Sequence, residues 1–200
     1  MSTRWLIRLE TLLTFILVIG CLLAIVGVGA DVIIAVAGAP NGFGIQLRVY
    51  DSPIPTPADG TVITDATTDV IVRPLGASPL VALVHFLGWA PGVATVLLAL
   101  FTLMRALRRA RSGDRALFSD VTADLLSRLG WILVVGSLAA ALVGMVAEAL
   151  LASILLTRSY PFYPPSLALL GAIVAGFAAL GVSEIVRRGL ILLKEVEATI

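Results

Sequence analysis

The chain has 200 residues, of which 59% are apolar and only 14% charged; its mean hydropathy is +1.05 and its net charge +1. Water-soluble domains run near 45–50% apolar and about 25% charged, so this composition points to the membrane class rather than to an ordinary globular domain. The balanced charge provides no field for direct nucleic-acid binding, and the single cysteine, Cys21, excludes a disulfide framework or a cysteine-ligated metal site within one chain.

A membrane-crossing helix needs about 20 mostly apolar residues, and four stretches meet that length: about 12–36, 79–104, 131–156 and 166–186. The expected fold is an all-α integral membrane protein, a single domain over 1–200. It is a bundle of four transmembrane helices with a small β-rich extracytoplasmic loop between the first two. The first span starts after Arg4 and Arg8, and "VIGC" ending at Cys21 has the look of a lipoprotein processing box. The apolar run continues about fifteen residues beyond it, too far for a cleaved signal. Cys21 is therefore expected to be a small buried side chain.

The loop 39–78 follows. "GIQLRVYD" alternates, with Ile45, Leu47 and Val49 on one face; "DGTVIT" and "TDVIVRP" alternate as well, and "SPIPTPADG" separates them as a turn. Two or three short strands forming a cap are expected. After the second span, the loop 105–130 opens with "RALRRAR", a basic extension of the helix suited to anionic headgroups, and "SGDRAL" breaks it. Ser119 is then a good N-cap, with Phe118 before it and Asp120 and Asp124 in the following turns. A short amphipathic helix, Ser119 to Leu129, with Val121, Leu125 and Leu129 on one face, is expected to feed the third span at Gly130 and Trp131. "RSYPFYPP" brings Tyr160, Phe162 and Tyr163 to the short turn before the fourth span.

Basic residues fix the expected orientation. Arg4, Arg8, Arg105, Arg108, Arg109, Arg111, Arg115, Arg128, Arg187, Arg188 and Lys194 fall on one side, against Arg48, Arg73 and Arg158 on the other. The positive-inside rule puts both termini and the middle loop in the cytoplasm; the abundance of arginine over lysine and of alanine, glycine and valine fits a GC-rich bacterial genome, and the bacterial inner membrane is the expected location. The tail 187–200 carries Val186, Leu190, Leu193, Val196 and Ile200 at helical spacing. Packing of this stripe on Val121, Leu125 and Leu129 is the favoured arrangement, another chain the alternative, and Gly189 the expected adjustment point.

Each span has a line of small residues that would let backbones approach closely. These are Gly20, Ala24, Gly27 and Asp31; His85, Gly88 and Gly92; Gly136, Ala140, Gly144 and Glu148; and Gly171, Ala175, Ala179 and Ser183. Three ionisable groups, Asp31, His85 and Glu148, stand on these lines at similar depth, counted at 1.5 Å per residue. Burying charge in a membrane is costly, so such a cluster is a candidate site for a proton or a cation, or else a hydrogen-bonded knot that fixes packing. No Walker loop, HExxH, GxSxG or histidine pair is present, so no catalytic residue, cofactor or resident metal is expected.

"ALFSDVTADLLSRLGWIL" and "EIVRRGLILLKEVEATI" resemble the bacterial membrane family known as domain of unknown function 2975. The resemblance rests on Phe118, Arg128, Gly130, Glu184, Arg187, Arg188, Gly189, Glu195, Glu197, Thr199 and Ile200. Departures are Val186, Ala198 and the looser Ser127-Arg128-Leu129. The resemblance implies four spans and, through neighbouring genes, a partnership with a small helix-turn-helix regulator of the Cro/C1 type. The expected function is therefore a non-enzymatic regulatory or accessory membrane protein. Its partner surface is expected to comprise Phe118, Asp120, Asp124, Arg128, Arg187, Arg188, Glu195 and Glu197. The alternatives are a small ion or solute transporter using Asp31, His85 and Glu148, or a structural subunit of a larger membrane complex. Candidate partners are the bilayer, a cytoplasmic protein, a membrane complex and a second copy of the chain.

Overall fold

A computed structural model describes residues 3–38, 44–50, 67–110, 120–156, 160–161 and 167–198. In chain order the elements are α1 (Thr3–Ala37), β1 (Ile45–Tyr50), β2 (Thr67–Val72), α2 (Pro79–Ala110), α3 (Asp120–Leu155), β3 (Tyr160–Pro161) and α4 (Leu167–Ala198). All four helices are long and apolar enough to cross a membrane. At 1.5 Å per residue, α3 with its 36 residues is about 54 Å long, well beyond a hydrocarbon core of about 30 Å. The helices therefore carry their charged ends past the apolar layer without a break. Their surfaces are equally telling. Phe15, Leu23, Ile25, Val36, Val174, Phe177 and Ile185 are each more than half exposed, an exterior suited to lipid and not to water.

Hydroxyls on these helices serve the helix itself. Thr11 donates to Ile7 O, Thr14 to Glu10 O, Thr95 to Pro91 O and Thr102 to Leu98 O, all at 2.8–2.9 Å. In an apolar medium a hydroxyl must find such a partner, because no water replaces it.

The chain divides into two compact units; α1, α2 and α3 contribute to both, and α4 to the first alone. The first comprises Met1–Ala24, Pro91–Ala139 and Ser166–Ile200. In it α1 and α2 run antiparallel: Glu10 pairs with Arg108, Thr14 with Met104, and Gly20 faces Leu97. Gly136 of α3 lies against Thr95 of α2. A tighter seam joins α3 and α4. A Cβ on Gly130 would stand 2.8 Å from Gly176 O, and one on Gly176 would stand 3.0 Å from Gly130 O. Two helices can approach this closely only where both lack a side chain.

The second unit comprises Ile25–Ala90 and Ala140–Pro165. Its core joins Ile34 of α1, Ile45 and Leu47 of β1, Val81, Ala82 and Val84 of α2, and Ala147 and Leu151 of α3. Alternation along β1 buries Ile45 and Leu47 and exposes Gln46. β1 pairs antiparallel with β2, from Ile45 opposite Val72 to Tyr50 opposite Thr67. It also pairs antiparallel with the two-residue β3. The turn from α1 to α2 is set by two glycines. Gly38 has φ of 73°, and a Cβ there would lie 2.6 Å from Gly76 O. Gly38 N and Ser78 N both donate to Ile34 O, and Pro79 takes the first helical position of α2, where its missing N–H costs nothing. Gly38→Ala should lower stability by about 1–2 kcal/mol from backbone conformation alone, whereas Gly76→Ala, with nothing within 4 Å, should not introduce a clash. Thermal unfolding of the two variants in one detergent checks this.

Several expectations need correction. The structure does not support a β-rich outer loop. Between α1 and α2 the described residues form one strand pair, and the third short strand comes from the turn before α4; "DGTVIT" and "SPIPTPADG" fall outside the described residues. The amphipathic segment before Trp131 is not a separate helix, since α3 runs unbroken from Asp120. Gly130 does not interrupt it because the cost of a helical glycine is offset by the contact with Gly176. Gly189 does not end α4 either; the helix continues to Ala198. Cys21 is exposed, not buried. On α4 the close-packed residues are Gly176 and Ser183, while a Cβ added at Gly171 would have nothing within 4 Å and Ala175 is exposed.

Candidate functional site

Each unit contains one polar constellation. In the second unit, α1 positions Asp31 one turn beyond Gly27, and α2 positions His85 and Trp89 one turn apart. Gly27 lets the Trp89 ring come close to α1: a Cβ on that glycine would meet Trp89 Cζ2 at 3.0 Å. Phe86 meets the same ring edge to face at 5.5 Å. So held, Trp89 Nε1 donates to Asp31 Oδ2 at 3.0 Å, and His85 Nδ1 lies 2.6 Å from Asp31 Oδ1. An ionised carboxylate only accepts, so in this arrangement Nδ1 carries the hydrogen and donates it.

Asp31 is only 6% exposed, yet each of its oxygens has a donor. This is the condition under which a buried carboxylate is tolerable. The His85 side chain keeps 34% exposure, and with Nδ1 engaged, Nε2 is the nitrogen left to exchange a proton or meet a ligand. The arrangement is thus an imidazole fixed by a buried acid, with one nitrogen available.

Of the three expected members, Asp31 and His85 are in direct contact. Glu148 is half-buried on α3 and has a polar partner of its own. Among the described residues no group of three His, Cys, Asp or Glu side chains is placed to hold a metal ion. The sequence reading missed Trp89. Its signal was available: a tryptophan in an apolar span brings an N–H that needs an acceptor when buried, and Asp31 is that acceptor.

In the first unit, Ser183 Oγ donates to Ala123 O at 2.8 Å within the α3–α4 seam. One turn further, Arg187 reaches Asp124 at 3.2 Å, and Arg188 binds Glu184 within α4 at 2.8 Å. Both ion pairs are exposed and screened by solvent, so neither adds much to stability. Arg128 is exposed, and Asp120 is exposed with a polar partner of its own. Phe118 lies outside the described residues, as do the side chains of Glu195 and Glu197.

The tail therefore packs on α3 up to Arg187, with Ser183 and Arg187 meeting Ala123 and Asp124. Of the expected stripe, Val121 is exposed, Leu125, Leu129, Val186 and Leu190 are half-buried, and Ile200 and the side chains of Leu193 and Val196 lie outside the described residues; Thr122, Ala123 and Gly130 are buried. Small and polar residues make the closest contacts of this seam, with Leu180 packed beside Gly130 and Leu133 beside Gly176. No protein-family model matches this chain, and neither a curated protein nor a solved structure is significantly similar to it.

Proposed function

We propose that this protein is a non-enzymatic regulatory or accessory membrane protein of the bacterial inner membrane. In this reading both termini are cytoplasmic, following the arginine bias. The observation that carries the proposal is the Asp31, His85 and Trp89 constellation. It is a titratable imidazole held at 2.6 Å by a buried carboxylate, with part of its ring exposed. Histidine is the side chain whose charge ordinarily changes between about pH 5 and 8, and intramembrane ionisable groups are functional by default. The likeness to domain of unknown function 2975 adds a cytoplasmic helix-turn-helix regulator as the kind of partner. The exposed ends of α3 and α4, with Asp120, Asp124, Arg128, Arg187 and Arg188, are the surface it would engage.

Purification of the full chain in mild detergent tests this. A soluble partner should be retained, Arg187→Glu should release it, and His85→Gln should alter the amount retained although His85 belongs to the other unit. The regulatory reading fails if capture is indifferent to both His85→Gln and Asp31→Asn. Vesicles containing the native protein that conduct an ion, with the flux abolished by Asp31→Asn, would favour transport instead.

A further inference from the structure

Along one face of α1 runs a groove of about 480 Å³ lined by Ile7, Glu10, Thr11, Thr14, Phe15 and Val18. These positions recur at three- and four-residue intervals, so they form one continuous strip. Its hydroxyls are taken up: Thr11 donates to Ile7 O, and Thr14 is engaged with Glu10 O and Met104 Sδ. Its only acid, Glu10, accepts from Arg108 Nε at 3.0 Å and has a further partner. What remains for an occupant is an apolar wall, with Phe15 65% exposed at one side.

The groove's charged end is basic. Arg108 uses only Nε on Glu10, and its side chain is 61% exposed. A guanidinium has five N–H donors, and no described residue takes up the terminal ones. Arg8 on α1 and Arg105 on α2 are also exposed, and Arg105 lies 5.9 Å over the Phe101 ring. The groove runs from Ile7 and Glu10, ahead of the apolar stretch that starts at about residue 12, to Phe15 and Val18 within it. The wall therefore meets the guanidinium at the depth where acyl chains meet headgroups.

These features select the occupant. The exposed Arg108 guanidinium repels a cation, and the apolar wall gives a small soluble anion nothing to hold. A second copy docking through this same face would bring two Arg108 side chains together, as a two-fold contact requires. We infer that the groove seats one acyl chain of an anionic phospholipid whose phosphate is held by Arg108, with Glu10 orienting the guanidinium. Basic pockets between membrane helices bind anionic headgroups in this manner. The inference is independent of the proposed regulatory role.

The full-length protein, exchanged into micelles containing equal amounts of phosphatidylglycerol and phosphatidylcholine, would be examined by native mass spectrometry. Retention of phosphatidylglycerol should exceed that of phosphatidylcholine and fall about fivefold in Arg108→Gln, the weight of one arginine at a charged surface. Arg188→Gln, another exposed arginine held through Nε by a glutamate, should leave retention unchanged. Thr11→Trp, which fills the groove, should lower retention of the bound lipid while the far-UV melting curve stays that of a folded chain. Equal retention of the two lipids, or equal losses in Arg108→Gln and Arg188→Gln, would overturn the assignment. So would a Thr11→Trp protein that keeps its lipid but changes its oligomeric state, since a second copy would then be the occupant.

Discussion

Gly130→Ala is expected to destabilise the protein by about 1–3 kcal/mol, the usual cost of forcing an extra carbon into a packed interface. Alanine is ordinarily the better helix former, by roughly 0.5–1 kcal/mol over glycine, so intrinsic propensity pushes the other way. Packing wins because of what the new methyl meets. It would stand 2.6 Å from Leu180 Cγ and 2.8 Å from Gly176 O. Leu180 can turn aside; a backbone carbonyl can move only with its helix. Gly181→Ala, one residue beyond Leu180 with nothing within 4 Å, should be neutral or stabilising. Two glycine substitutions on neighbouring helices are thus expected to differ in sign. Adding Leu180→Ala to Gly130→Ala should not restore stability, because the carbonyl contact persists and the packing of a leucine is lost as well. Thermal or denaturant unfolding in a single detergent measures all three. Equal effects of Gly130→Ala and Gly181→Ala would show that the α3–α4 seam does not depend on this close approach.

The same seam shows where sequence reasoning succeeds and where it stops. The four helices were legible because about 20 apolar residues in a row have few other stable forms, and charge counting adds an expected orientation. The ends were harder. An amphipathic stretch such as Ser119 to Leu129 looks like a surface helix when its partner is unknown, and Gly130 looks like a break. The folded chain uses that glycine as a contact, so α3 continues through it. Small-residue spacing identified Gly27, Gly88 and Gly136 as packing positions, each of which meets a neighbouring helix. On α4 it found Ser183 but took Gly171 and Ala175 in place of Gly176, because alanine and glycine are so common there that several lines fit equally well. Choosing between them requires the partner helix, Gly130 with Val134, which sits about fifty residues away in sequence. Asp31 and His85 could be matched by depth, since depth follows from counting residues. Glu148 was at a comparable depth, but depth says nothing of azimuth, so counting residues alone does not decide which neighbours it meets.

Asp31→Ala should be the most damaging single change at the candidate site. The carboxylate accepts from Trp89 Nε1 and from His85 Nδ1, so its loss leaves two donors without their acceptor. Each such orphan costs about 1–3 kcal/mol when water cannot replace the partner. His85 is one-third exposed and can recover part of its share from solvent, which places the expected total near about 2–4 kcal/mol. Asp31→Asn should cost less, because the amide oxygen still accepts one bond, though its NH2 is poorly matched to a second donor. The decisive comparison is the triple variant Asp31→Leu, His85→Leu, Trp89→Phe. If the constellation exists for stability, the triple variant should be the worst, since it removes every bond. Burial energetics predict the reverse: replacing all partners by apolar groups of similar size removes the orphans along with the bonds, so it should recover much of what Asp31→Ala loses. Unfolding followed by far-UV circular dichroism ranks the variants without relying on Trp89 fluorescence. Recovery in the triple variant would mean that the polar knot is not needed to hold the unit together, leaving its titratable imidazole as the reason to bury a carboxylate there. A triple variant less stable than Asp31→Ala would instead make Asp31, His85 and Trp89 a packing device and remove the main support for sensing at this site.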